Sequence, residues 1–288
     1  MTVKHSSQIL LVDTSDGPKQ LAFQQWQSPT SQKVLFCVHG LTHHSRYFDS
    51  LAQALAPDYL VICPDIPGRG DSDWLDTPAH YGYPLYLHII QQLWEHLKAN
   101  HSYQYCDWVG TSMGGLMGML WAAQPDCPIH ALVLNDVSCD IPEAALLRIA
   151  EYVGQAPEFE SVDNAETYLR QLGSAYGYIT DAQWRTLTEH SIRKTPNNTW
   201  RLKYDPAITD AFRNIDGNID LRTVWQQVHC QTLLIRGGDS DLLTKTVYQE
   251  MCDVNHVQGQ IFAGIGHAPL LMNSEQIQVI QNFLSKNA

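Results

Sequence analysis

No run of 18 apolar residues occurs in this 288-residue chain, so a membrane-spanning helix is not expected. The opening MTVKHSSQILLVDTSDG has neither a long apolar segment nor a small-residue cleavage site, and a protein without such a leader is expected in the cytoplasm. Positive charge is scarce. Eighteen lysines and arginines stand against 30 aspartates and glutamates, and the net charge of −12 disfavours nucleic acid and anionic membrane as partners. Cysteines at CxxC spacing are missing, and seven thiols, an odd number, are scattered from Cys37 to Cys252; this fits reduced, buried thiols better than a disulfide framework or a zinc site. HExxH and HxHxDH are missing as well, so His39, His43 and His44 are not expected to hold a metal, and His43 and His44 are read as lining a pocket mouth. The stretch 68-GRG-70 lacks the third glycine of a dinucleotide fingerprint and does not directly open a helix, so no nicotinamide or flavin cofactor is expected. Internal repeats and low-complexity tracts do not occur.

What is present is a 44% hydrophobic, 17% charged composition of ordinary globular type, in a chain long enough for two domains or for one large domain with an insertion. Ile9–Asp13 and Leu21–Gln25 read as an opening hairpin, and 33-KVLFCVHG-40 and 59-YLVICPD-65 as buried strands ending at turn residues. Further strands are expected in 105-YCDWVG-110, 129-IHALVLND-136, 231-QTLLIRGG-238 and 257-VQGQIFAG-264. Helical spacing separates them: Tyr47, Phe48, Leu51 and Leu55 in one segment, Leu87, Ile90, Leu93, Trp94 and Leu97 in another, and an amphipathic stretch at 274–285. Strands alternating with helices imply a mostly parallel sheet covered on both faces. From Cys139 to about Gln227 the alternation stops; helical segments occur but no convincing buried strand, so residues 139–227 are read as a helical cap inserted into a core of residues 1–138 and 228–288. Aromatic residues crowd this insert and its approach, among them Tyr83, Tyr152, Tyr176 and Trp184, and suggest a mainly apolar pocket of modest size.

The chemistry gathers at 108-WVGTSMGGLMG-118, where Gly110-Thr111-Ser112-Met113-Gly114 fits G-x-S-x-G between an expected strand and an expected helix. Such a turn holds a serine hydroxyl clear of the backbone at a helix N-terminus. A hydroxyl is a weak nucleophile until a base takes its proton, so the motif requires a histidine. His267 in 264-GIGHAPLL-271, between the last strand and the last helix, suits that part by chain order and by its small, proline-bearing surroundings.

Together with 38-VHGLTHHSRYF-48 and the D-x-x-G-x-G-x-S turn 65-DIPGRGDS-72, these motifs make the sequence resemble the α/β-hydrolases over nearly its whole length. The resemblance implies an α/β fold with a mostly parallel eight-stranded sheet, a helical cap over the pocket, and a catalytic serine, acid and histidine in that order. It implies backbone donors for a substrate oxyanion at Met113 and Leu41, with Thr42 as the neighbouring alternative to Leu41. For the acid, 234-LIRGGDSDLL-243 offers Asp239 or Asp241, and Asp241 is preferred because relatives with an R-G-x-x-S-D pattern carry the matching aspartate; Asp136, ending the sixth strand, is the rival. The expected activity is cofactor-independent hydrolysis of a small ester or related compound with an apolar acyl part, through an acyl-enzyme. The same constellation also serves hydrolysis of carbon–carbon bonds in diketones and acyl transfer, and some relatives use the scaffold as a small-molecule receptor.

Overall fold

Strands that are apolar without alternation, such as 34-VLFCV-38 and 59-YLVIC-63, must find cover on both sides, and the sheet is built around that demand. In a computed structural model describing residues 2–31, 33–100, 103–212 and 216–287, eight strands form one sheet. They are β1 (Lys4–Thr14), β2 (Gly17–Gln27), β3 (Lys33–Val38), β4 (Tyr59–Pro64), β5 (Cys106–Thr111), β6 (Ile129–Asn135), β7 (Gln231–Gly237) and β8 (Val257–Phe262). Their order across the sheet is β1-β2-β4-β3-β5-β6-β7-β8. Strands β3 to β8 are parallel; β2 runs antiparallel to both β1 and β4. The expected α/β architecture is therefore observed, and the opening hairpin is longer than the sequence suggested because its outer residues are solvent-facing and carry no clear alternation.

One face of the sheet buries Phe36, Ile62, Trp108 and Leu134 against helices α2 (Tyr83–Asn100) and α3 (Met113–Ala122). The other buries Leu35, Val61, Val109 and Ile235 against α1 (Asp49–Leu55) and the C-terminal helix Ser274–Lys286. The segment read as one helix from Ser45 splits into a 3₁₀ turn, Ser45–Phe48, and α1. No helix among the described residues is long and apolar enough to cross a membrane. All seven cysteines are free thiols.

Between β6 and β7 lie α4 (Glu143–Tyr152), α5 (Val162–Leu172) and α6 (Asp181–Ser191), the last opened by a Thr180–Gln183 capping box. The region is not free of strands. Residues 158–159, 200–202 and 192–194 form a small antiparallel sheet, and 140–141 pair with 219–220. Pieces of two or three residues are too short to show periodicity, so no pattern marks them in the sequence.

Candidate active site

Strands β3, β5, β6 and β8 end on the same edge of the sheet, and the loops that follow them carry Leu41, Ser112, Asp136 and His267. This is the edge where parallel sheets gather ligands. Ser112 sits between β5 and α3 with φ 49° and ψ −115°, a conformation that side chains rarely adopt. It survives because the neighbouring glycines leave no alternative packing: a Cβ on Gly114 would fall on the Val38 carbonyl oxygen. The Gly114 N–H donates to the His39 carbonyl (3.1 Å), and the Trp108 indole donates to the Gly114 carbonyl (3.0 Å). The elbow is thus fastened to β3 on one side and β5 on the other.

The Ser112 hydroxyl lies 3.0 Å from His267 Nε2, and His267 Nδ1 lies 2.5 Å from Asp136 Oδ2. Because a carboxylate accepts, Nδ1 carries the proton and Nε2 is left as the acceptor facing the serine. Asp136 is fully buried and is held from two more directions: Ser240 Oγ donates to Oδ2 (2.6 Å) and the Gly237 N–H to Oδ1 (3.0 Å). Its own backbone has φ 56°, a region that aspartate tolerates better than most residues. Asn135, fully buried beside it, donates from Nδ2 to Thr111 Oγ1 (3.0 Å) and to the Pro269 carbonyl (2.7 Å), so one amide ties the end of β5 to the loop of His267.

The preference for Asp241 is corrected by this geometry. Asp241 forms a bidentate pair with Arg148 of α4, at 2.6 and 2.9 Å, and both side chains are nearly half exposed. That pair, with burial opposing it, holds the Asp241 carboxyl below its ordinary range. Asp239 borders the same cavity as His267 without a hydrogen bond to the imidazole, and its N–H donates to the Ile265 carbonyl. The residue of the R-G-x-x-S-D pattern that does serve the imidazole is Ser240, through Asp136.

On the β3 side, the Gly40 carbonyl accepts from His39 Nδ1 (2.7 Å) and from the His43 N–H (3.2 Å). In a trans peptide the Leu41 N–H points the opposite way, away from those donors. Met113 is the first residue of α3, where the helix offers its N–H no acceptor of its own. Leu41 and Met113 both border a small pocket that also contains Ser112. His39 is a tight-turn residue: fully buried, its Nε2 accepting from the Ile66 N–H (3.0 Å), it is pushed down to about 3 by burial and stays neutral.

Arg69 has no role in the sequence reading, where 68-GRG-70 counts as an incomplete nucleotide motif and as part of the turn 65-DIPGRGDS-72. Its side chain is fully buried between the rings of Tyr81 and Tyr86 and donates to the Leu41 carbonyl (2.8 Å), the Pro67 carbonyl and the Tyr86 hydroxyl. A lone arginine between two glycines gives no hint of that, but the aspartate and serine around it do: Asp65 accepts from the Ser45 and Asp71 amides and Ser72 donates to the Asp65 carbonyl, closing the loop that aims Arg69 inward.

Two cavities meet at His267. The inner one, of about 100 Å³, is walled by Leu116, Ile141, Leu146 and Ile149; the outer one, of about 510 Å³, has Arg148, Lys203, Asp241 and His44 in its walls. The inner space is the more apolar of the two; the outer adds these charged groups to apolar and aromatic walls such as Leu169, Leu172, Trp184 and Leu202. Among the described residues no cluster of histidine, cysteine, aspartate and glutamate could hold a metal ion.

The family model of the alpha/beta hydrolases matches residues 34–278. The chain is 34% identical over 279 residues to 3-hydroxybutyrate-oligomer hydrolase of Cupriavidus necator, across 93% of this chain and 94% of the relative. It is 26% identical over 255 residues to the pimeloyl-acyl-carrier-protein methyl ester esterase of Xanthomonas campestris pv. campestris, across 85% and 91%. A crystal structure of an alpha/beta hydrolase from Novosphingobium aromaticivorans superposes with a TM-score of 0.86 at 31% identity, over 98% of each chain. A sheet of this order, a serine at the elbow after its fifth strand and a family match across most of the length lead to one assignment: the chain belongs to the alpha/beta hydrolase family.

Proposed function

We propose that the protein is a serine hydrolase of short-chain esters that works through an acyl-enzyme. The observation that carries this reading is the unbroken series Ser112 Oγ, His267 Nε2, His267 Nδ1, Asp136 Oδ2, at 3.0 and 2.5 Å. In the first half-reaction Ser112 Oγ attacks the ester carbonyl carbon while His267 Nε2 takes the hydroxyl proton. The carbonyl electrons move onto oxygen, and the Leu41 and Met113 N–H groups donate hydrogen bonds to that oxyanion; losing one such donor costs roughly 3 kcal/mol of barrier. The intermediate collapses by breaking the bond to the alcohol oxygen, which leaves with the proton from Nε2. In the second half, water attacks the acyl-serine, gives its proton to Nε2, and the acid departs as Ser112 is reprotonated. Asp136 keeps the proton on Nδ1 throughout and stabilises the transient imidazolium. The proton balance closes within the chain's own groups, and the partner is a small-molecule substrate with an apolar acyl part.

The names of the two relatives support ester hydrolysis, and the Cupriavidus necator relative makes short oligomers of 3-hydroxybutyrate the first natural-type substrate to assay. Fluorophosphonate labelling mapped by mass spectrometry, together with turnover of p-nitrophenyl butyrate and of such oligomers, tests the proposal. Labelling at Ser112 and turnover that Ser112→Ala abolishes are expected. Turnover unchanged in Ser112→Ala, or cleavage of diketones with none of esters, overturns it.

A further inference from the structure

Thr42, His43, Tyr152, Tyr176 and His267 border both cavities, and two of these, His43 and Tyr176, touch each other. The His43 ring stacks on Tyr47 at 4.0 Å between centroids and meets Tyr176 edge-on at 5.9 Å. Its Nε2 is 3.0 Å from the Tyr176 hydroxyl. Each ring is anchored from its own side. His43 belongs to the turn after β3, whereas Tyr176 stacks on Trp184 of α6, and its neighbour Ala175 accepts from the N–H of Gly266, next to His267, at 2.7 Å.

We propose that His43 and Tyr176 form a partition between an acyl subsite and an alcohol subsite, so that the enzyme selects a short aliphatic acyl group and accepts a longer, more polar alcohol. The inference rests on the serine-hydrolase reading and adds the substrate class. An acyl carbon bonded to Ser112, with its oxygen toward the Leu41 and Met113 amides, has its chain in the compartment that contains all three groups, which is the small apolar one. The alkoxide oxygen must reach His267 Nε2 to leave, and His267 also opens onto the outer cavity, about five times as large, where Arg148, Lys203 and Asp241 stand among apolar and aromatic walls. Burial and the neighbouring His267 push His43 down to about 3, so the partition is a neutral hydrogen-bonded pair over the working range and repels neither charge sign. An ester of a short hydroxy acid whose further units make up the alcohol part fits both compartments.

The test is an acyl series of p-nitrophenyl esters from acetate to octanoate and an alcohol series of alkyl butyrates from methyl to octyl, run on the wild type, Tyr176→Ala, His43→Ala and Tyr176→Phe. Because misfit in an apolar pocket is worth about tenfold or more per few methylenes, wild-type kcat/KM should fall at least about tenfold from butyrate to octanoate and vary less than about threefold along the alcohol series. Either alanine variant should shrink the acyl fall to under about threefold, and Tyr176→Phe, which keeps the ring, should retain it. The two alanine changes remove opposite halves of the partition, so either one that folds by circular dichroism decides the matter. An acyl profile in either folded alanine variant that matches the wild type, or a wild-type profile steep along the alcohol series and flat along the acyl series, overturns the partition while leaving the hydrolase reading in place. Should the wild type cleave no ester, that reading fails first, and calorimetric binding of butyrate and octanoate still decides the partition: the wild type should bind butyrate alone and Tyr176→Ala both acids. Equal octanoate binding by the two proteins overturns it.

Discussion

Replacing Asp136 by asparagine separates the two candidate acids most sharply, because the surroundings of the carboxylate leave the new amide no good orientation. If its NH₂ faces His267, the imidazole must accept at Nδ1, the proton moves to Nε2, and Nε2 no longer takes the Ser112 proton. If its oxygen faces His267, the NH₂ is pressed against the Gly237 N–H, now 3.0 Å from Oδ1, and a buried donor pair costs about 1–3 kcal/mol. The first arrangement stops the proton transfer; the second destabilises the loop that carries it. A drop in turnover on the order of 10⁴ is expected. Asp241→Asn removes only a half-exposed ion pair with Arg148, worth about 0.2–1 kcal/mol, so turnover should stay within about fivefold of wild type. Steady-state kinetics on p-nitrophenyl butyrate, with thermal denaturation to establish that both variants are folded, gives the answer. The reasoning is refuted if folded Asp136→Asn keeps activity within about tenfold of wild type while Asp241→Asn loses about 10³ or more.

Ser112→Ala and His267→Ala should each remove most activity, and the double variant should be scarcely worse than either, because attack and proton transfer act as one unit; additive losses would contradict the shared role. Gly114→Ala should lower stability by about 1–3 kcal/mol, read as a shift in urea midpoint, since its Cβ would meet the Val38 carbonyl; an unshifted midpoint would mean that the elbow is less constrained than its contacts imply. Acid should also destabilise the protein. Burial holds His39 neutral down to about 3 and keeps His44 well below its ordinary 6.5, so below pH 6.5 the unfolded chain binds protons that the folded chain does not. The stability those groups contribute above pH 6.5 is lost on the way down, at about 1.4 kcal/mol per pH unit for each histidine. Asp65, raised by burial to about 6, acts in the opposite sense between about pH 6 and 4, where the folded chain holds the extra proton. Urea midpoints that fall from pH 7 to pH 5 are expected, and midpoints that hold or rise would show that these histidines take up protons in the folded state.

Much of the sheet was legible because its central strands are short, apolar and bounded by turn residues, as in 33-KVLFCVHG-40 and 129-IHALVLND-136, and because burial on both faces leaves such runs little alternative. The placement of Ser112 and His267 was legible for a different reason: it depends on local backbone, a glycine-flanked turn and a loop before the last helix, and local backbone is written in adjacent residues. Arg69 and the His43–Tyr176 pair were not, because their contacts join positions far apart in the chain, 28 residues for Arg69 to Leu41 and 133 for His43 to Tyr176. The inner and outer cavities were read as one pocket for the same reason, since composition counts aromatic residues without saying which of them meet.

The choice of acid shows where local pattern stops deciding. Strands β6 and β7 are parallel neighbours with Asn135 opposite Ile235, so Asp136, just past the end of β6, lies about one strand spacing, roughly 5 Å, from the last residues of β7. A carboxylate on a short side chain reaches the same imidazole from either end, and nothing in the residues around Asp136 or Asp241 states which one does. What decides is the set of donors converging on the site. The Gly237 N–H and Ser240 Oγ, both supplied from β7 and its loop, point at the carboxylate arriving from β6. Ser240 in turn accepts from the Leu242 and Leu243 amides, so its hydroxyl proton is free only for Asp136. The seventh-strand loop therefore contributes the support rather than the charge, and Asp241, the very next residue, is turned outward to Arg148, where it fastens α4 to the rim of the outer cavity.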